Sequence, residues 1–247
     1  VNGVPSEIIS KTFFVWAGGN PYQLPVVSLQ IQEDKLFDYQ NGIYTAGKDF
    51  DDWRAANPSN NQWYRPEWCN YWRSGDLWEY PMNIEYFDPV TLTSGLSQDA
   101  GFRIHGNNSR ALGIKNLRLY ARTDYDNTDV FEHQFFSQQI PGAANPNNNK
   151  YNRLMLRGDG AGGSIAYDVV FNRSMQPVFN GIGRIQQALH FINGEFWGIT
   201  ALRDRMDKYH YANNFDLDKD NIVQIECGGS NCDLGEGTNA DYQGFID

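Results

Sequence analysis

Apolar runs broken by turn signals recur along this chain, and the most informative pair lies in residues 185–207 (IQQALHFINGEFWGITALRDRMD). Asn193-Gly194 separates two apolar runs there and supplies the two φ > 0 residues of a type I′ turn, which predicts a tight hairpin. The implied register sets Phe191 against Phe196 and Leu189 against Gly198 on one side, with His190 against Trp197 and Ala188 against Ile199 on the other. Both sides are apolar, so the hairpin is expected to lie centrally, with both faces covered. Leu202 then leads into Arg203-Asp204-Arg205-Met206-Asp207, a charged segment that reads as the entry to a short helix at the lip of a core.

The same reading gives the other elements. Val27, Leu29 and Ile31 alternate with Ser28, Gln30 and Gln32, a half-buried strand within 24–32. Residues 11–16 are β-rich and, with a turn cluster after them, read as the last strand of something upstream. Residues 81–88, 101–105, 114–122 and 151–157 read as strands, and 106–110 and 141–150 as loops. Asn41-Gly42 before Ile43-Tyr44 is another turn-then-strand signal. Ser164 is placed to cap a helix in which Ile165, Val169, Phe171, Met175 and Val178 recur at helical spacing. Residues 49–80 are irregular, broken by Pro58 and Pro66 and holding Trp53, Trp63, Trp68, Trp72 and Trp78. So many indoles suit either a sugar-stacking platform or a long loop tied down by its own aromatics.

Composition narrows the classes. The chain has 247 residues, 40% hydrophobic and 15% aromatic, enough for a substantial core. A net charge of −10 argues against nucleic acid or an anionic membrane as main partner, since both demand a basic face. No run of about 18 apolar residues is present to span a bilayer. The start Val1-Asn2-Gly3 carries no initiator Met and no leader pattern, so the chain reads as a mature or excised segment.

Candidate chemistry is sparse. Cys227 and Cys232, in CGGSNC, could close a small disulfide ring and leave Cys69 over; half a zinc knuckle is the competing reading. Gly158, Gly160 and Gly163 match a dinucleotide fingerprint but lack the acidic residue that should follow. Asp216, Asp218 and Asp220 alternate like a calcium loop, with Asn221 and Cys227 where Gly and Glu are needed. The most suggestive residue is Lys115. Strand parity puts it on the apolar face with Leu117, Leu119 and Ala121, which is costly unless an anion meets the ammonium or the side chain snorkels to water.

Taken in order, several motifs together resemble one family, the CotH-like atypical kinases named for a spore coat protein. They are the LPVVSL strand at 24–29, the Gly-Ile-Tyr turn at 42–44, GFRIHGNNSR at 101–110 and the Lys-containing strand at 115–122. Leu-Arg-Gly at 156–158, NGEFWG at 193–198 and the charged tail at 203–207 complete the set. The resemblance implies an α+β fold: a mainly antiparallel β N-terminal region leading into a protein-kinase-like N-lobe, with the C-lobe truncated or absent. Residues 1–23 would be an upstream β segment or linker, 24–226 the CotH-like domain, and 227–247 a loop toward the missing lobe.

It further implies a secreted kinase, extracellular or at the cell surface, that binds ATP with Mg or Mn and phosphorylates Ser or Thr of extracellular or coat proteins. Lys115 would meet nucleotide phosphates, Ser109 and Arg110 would lie in the phosphate-side loop, and Arg157 and Asp204 would complete the nucleotide site. The family's catalytic and metal-binding acids match nothing before Asp247, so no catalytic or metal residue is assigned and this segment alone is expected to be inactive. Asp204 stands where many relatives have Glu, and Asn116 where Lys or Ser is commoner. The alternative is a non-catalytic surface module that holds a protein or glycan through Trp63, Trp68 and Trp72.

Overall fold

The computed structural model describes residues 11–15, 21–60, 66–91, 93–158, 165–228 and 231–246. In chain order the elements are β1 (Val26–Ile31), α1 (Glu33–Phe37), α2 (Gly47–Ala56), β2 (Tyr80–Phe87), β3 (Ser94–His105) and β4 (Asn116–Tyr120). The short pair β5 (Phe131–Glu132) and β6 (Lys150–Tyr151) follows, then β7 (Arg153–Arg157), α3 (Ile165–Met175), β8 (Ile185–Ile192) and β9 (Glu195–Asp204). The chain ends with α4 (Lys208–Phe215), β10 (Gln224–Gly228), β11 (Asn231–Glu236) and α5 (Asn239–Ile246).

Seven strands close into a barrel in the order β1-β2-β3-β4-β7-β9-β8. Six of the seven seams are antiparallel; β1 closes the ring by pairing parallel to β8, from Val26↔Leu189 to Leu29↔Ile192. This corrects the expectation of a β-rich region leading into a kinase-like N-lobe. The strand near residue 26 and the hairpin near residue 193 lie side by side in one closed sheet. The fold is mainly β, as a barrel, with a few helices outside it.

Alternation explains the interior. Val27, Leu29, Ile31, Ile84, Phe102, Ile104, Leu117, Leu119, Leu154, Leu156 and Leu202 all point inward and form one continuous core. Outside, α3 sets Val169 against Ile185 and Ala201, while its Phe171 faces solvent, as does Val178 beyond it. Residues 11–15 cross the outer face as a strap rather than a strand. The Thr12 amide donates to Glu85, its hydroxyl lies 2.8 Å from that of Ser28, and Phe14 packs edge-on against Phe87 and Phe191.

The β8–β9 hairpin has the turn its sequence predicts, with φ of 52° at Asn193 and 84° at Gly194. The Asn193 carboxamide also bonds both the N–H and the C=O of Ile31 at 2.8 Å, which adds one side-chain rung to the parallel seam. Phe191 does pair with Phe196, but beyond it the register shifts: His190 faces Gly198 and Leu189 faces Ile199. Trp197 is the extra residue of a β-bulge. Its indole N–H is drawn to the Tyr44 hydroxyl at 2.8 Å, and Gly198 takes φ 148° where a Cβ would strike Ile114.

Among the described residues no helix is long and apolar enough to cross a membrane.

Candidate anion-binding site

The loop after β3 is shaped by Gly106, whose φ of 115° favours glycine and whose missing Cβ leaves room for the Ser109 hydroxyl. A 3₁₀ turn over Asn108–Ala111 follows. Asn116, the first residue of β4, ties this turn to the end of β7: its amide donates to Ser109 Oγ at 3.2 Å and its carbonyl oxygen accepts from the Gly158 N–H at 2.9 Å. Arg110 is buried. Its Nε donates to the Gly106 carbonyl and its Nη1 to the carbonyls of Tyr71 and Arg73.

Lys115 is buried beside them, as its strand parity predicts. Its ammonium donates to the carbonyls of Arg110 (2.6 Å) and Leu112 (3.1 Å) and lies 4.1 Å from the Tyr71 ring centroid and 5.1 Å from that of Tyr44. Burial pushes its pKa down to about 8, against a smaller opposing effect of Cys69. The charge is satisfied by carbonyl dipoles and ring faces, without a carboxylate.

The Trp-rich stretch wraps this end of the molecule. Trp53 and Trp68 stack at 3.4 Å and 9°, Trp72 lies under the Arg110 guanidinium, and Trp78 lies under that of Arg73. Asn70 anchors the wrap by donating to the Tyr39 carbonyl and accepting from the Asp49 N–H. Trp63, Gly160, Gly163 and Ser164 lie outside the described residues.

The outer face of β3, β4, β7 and β9 carries a signal that the sequence reading missed. Cationic and aromatic side chains gather on it: Arg103 and His105, Arg118 and Tyr120, Arg153 and Arg157 on either side of Met155, Arg203 and, just past the strand end, Arg205. The pairings Arg103↔Arg118, Tyr120↔Arg153 and Met155↔Arg203 set them side by side in a chain whose net charge is −10. Most are neutralised. Glu79 takes Arg103 and Arg122, Asp207 takes Arg153 at 2.9 Å, and Asp168 of α3 takes Arg203 at 3.1 Å and Arg157 at 3.5 Å.

Around His105 the balance fails. Arg118 Nη2 lies 2.7 Å from His105 Nδ1, and Arg205 Nη1 lies 3.5 Å from Nε2. Burial and then the charges of Arg118, Arg205, Arg110 and Arg157 hold this imidazole neutral, with its pKa down to about 3. A guanidinium can only donate, so Nδ1 accepts from Arg118 and the ring proton sits on Nε2. That N–H then confronts the Arg205 N–H, donor to donor. The Nε of Arg118 is likewise buried with no hydrogen-bond partner, and those of Arg157 and Arg205 have only a carboxylate oxygen at 3.5 and 3.6 Å.

Asp204 lies in a different cluster. With Arg184 (3.4 Å) and His210 (2.9 Å) it forms a buried knot where β9 meets α4. Thus the structure brings Ser109, Arg110 and Lys115 together, sets Arg157 close enough to perturb His105, and keeps Asp204 apart from them. Among the described residues no group of three His, Cys, Asp or Glu could hold a metal. In the C-terminal hairpin Cys232 is disulfide-bonded and faces Cys227 in the β10–β11 register, whereas Cys69 is a buried thiol whose pKa burial raises. No protein-family model matches the chain, and no curated protein sequence matches it.

Proposed function

We propose that this chain binds the phosphates of ATP at the end of the barrel where β7 meets the 106–110 loop, as part of a secreted CotH-like atypical kinase acting on Ser or Thr of extracellular or coat proteins. One observation carries the reading: Arg157, on a strand, is paired with Asp168 on the helix that follows. A strand cation held by a helix carboxylate is the device with which protein kinases position nucleotide phosphates. Arg157 stands beside a loop pinned by Asn116, which bonds both Ser109 and Gly158.

The donor set suits phosphate oxygens, since it consists of guanidinium and amide groups. It does not suit a metal. Asp168, the carboxylate paired with Arg157, is spent on two arginines, so Mg²⁺ or Mn²⁺ would arrive with the nucleotide rather than on a prebuilt site. This chain's part is binding and orientation of phosphate, and no catalytic acid is assigned to it.

Titration calorimetry with ATP and magnesium tests the proposal. Wild-type chain binds, Arg157→Ala weakens binding by about tenfold or more, and Lys115→Ala weakens it less, because that ammonium is already committed to two carbonyls. Absence of binding to wild type, or an Arg157→Ala chain that binds as wild type does, overturns it.

A further inference from the structure

We propose that His105, Arg118 and Arg205 form a binding site for a tetrahedral oxyanion such as phosphate or sulfate, which takes its ligand without a nucleotide base and without a metal. The inference goes beyond the nucleotide reading and stands on the donor arithmetic of three side chains.

A neutral imidazole offers one acceptor, and here two guanidinium N–H groups compete for it. Arg118 is the nearer at 2.7 Å and takes Nδ1. What remains is His105 Nε2–H and the Arg205 N–H 3.5 Å apart, with nothing between them that accepts. Buried polar groups in native proteins almost always find partners, so a cluster of unmatched donors calls for an acceptor. The unpartnered Nε of Arg118 adds a further donor, while those of Arg205 and Arg157 have only long ion pairs, to Asp207 at 3.6 Å and Asp168 at 3.5 Å. Donors arriving from the imidazole and from two or three guanidinium groups suit an anion with several equivalent oxygens better than a planar carboxylate.

Protein carboxylates do not fill the role. Asp207 is 3.6 Å from Arg205 Nε, but it already pairs with Arg153 at 2.9 Å and accepts from the Tyr209 and His210 N–H groups that open α4. Asp168 is shared between Arg157 and Arg203. Glu226 reaches Arg205 only as a more distant charge. The cations of the cluster therefore outnumber the acids that face them. His105, Arg118, Arg157 and Arg205 are each only partly buried.

Inorganic phosphate is the probe. Heteronuclear NMR of the imidazole in wild-type chain should show the Nε2–H tautomer and a saturable shift of the His105 signals on adding phosphate, with sodium chloride at matched ionic strength as the blank. Thermal unfolding should rise by about 5 °C or more at a hundred times the dissociation constant, for phosphate and for sulfate. Arg118→Gln and Arg205→Gln should each abolish both responses, and Arg173→Gln, an exposed arginine of α3, should leave both intact. Failure of wild type to respond beyond the chloride blank, or an equal response in the Arg118 and Arg205 variants, overturns the proposal. ATP binding that fails while the phosphate response survives refutes the nucleotide reading alone.

Discussion

Two clusters of arginine and histidine lie at the edges of this barrel, and they differ in one ingredient. Around His210, the buried Arg184 and the imidazole both approach Asp204, and the remaining donors find carbonyls: Arg184 reaches those of Gln138 and Pro146, and His210 Nε2 reaches that of Gly181 at 2.9 Å. Burial opposes the charge on His210, but Asp204 outweighs it and raises the pKa, which favours the protonated ring, whose two nitrogens face Asp204 and the Gly181 carbonyl. Around His105 the carboxylates in reach, Asp207 beside Arg205 and Asp168 beside Arg157, are shared with Arg153 and Arg203, and the ring is driven neutral. The first cluster is complete within the protein and holds β9 to α4. The second has donors to spare, which is what a ligand site looks like before its ligand arrives.

The sharpest way to break this comparison is to remove the shared carboxylate. Asp204→Ala leaves Arg184 and His210 buried against each other, and is expected to cost about 3–5 kcal/mol of stability in urea unfolding. A loss below about 1 kcal/mol would mean that the knot is no more self-sufficient than the His105 cluster.

Acid titration comes next in size. His105 and His190 both have pKa values pushed down to about 3, His190 by burial in the barrel interior, where neither ring nitrogen has a partner. Their unfolded forms take up a proton near pH 6.5 and their folded forms do not. Stability is thus full above about pH 6.5 and falls as pH drops toward 3, by up to about 1.4 kcal/mol per pH unit for each ring. His210 works in the opposite sense: its contribution is complete below the unfolded value and is lost as pH rises through its raised folded value. Urea midpoints measured between pH 7 and pH 4 should fall, and His190→Leu should remove about half of that slope. An unchanged slope would show that His190 does not stay neutral when buried.

Lys115 should give a smaller effect. Lys115→Met strands the carbonyls of Arg110 and Leu112 and loses the contacts with the Tyr71 and Tyr44 rings, a cost of about 1–3 kcal/mol. A neutral or stabilising result would mean that this ammonium is not matched within the fold and would move the phosphate site back toward it.

The sequence made some of this readable and hid the rest for physical reasons. Asn193-Gly194 announces its turn because both positions need φ > 0, and alternation places Lys115 and the core residues of β1, β4 and β7 on the correct face. Barrel closure was not readable, because the β1–β8 seam joins residues some 160 positions apart and leaves no local trace. Nor was the slip beyond Phe191, which depends on Trp197 reaching Tyr44 across the fold. The arginine face did leave a trace: in GFRIH, NLRLYAR and RLMLR the cations alternate with the aliphatic residues of the core. Each run alone reads as an ordinary solvated strand face, and only the strand order brings the runs together.

The smallest change in stability carries the clearest sign. In the knot, deleting a charged group should destabilise. In the His105 cluster, deleting Arg118 removes a cation that faces other cations and leaves no carboxylate unpaired. Arg118→Gln should therefore change unfolding free energy by no more than about 1 kcal/mol in anion-free buffer, and in the stabilising direction. Adding phosphate should reverse the order, since only wild type gains from the ion. A variant that is less stable than wild type in both buffers would assign Arg118 to the fold, and the two clusters would then be alike in kind.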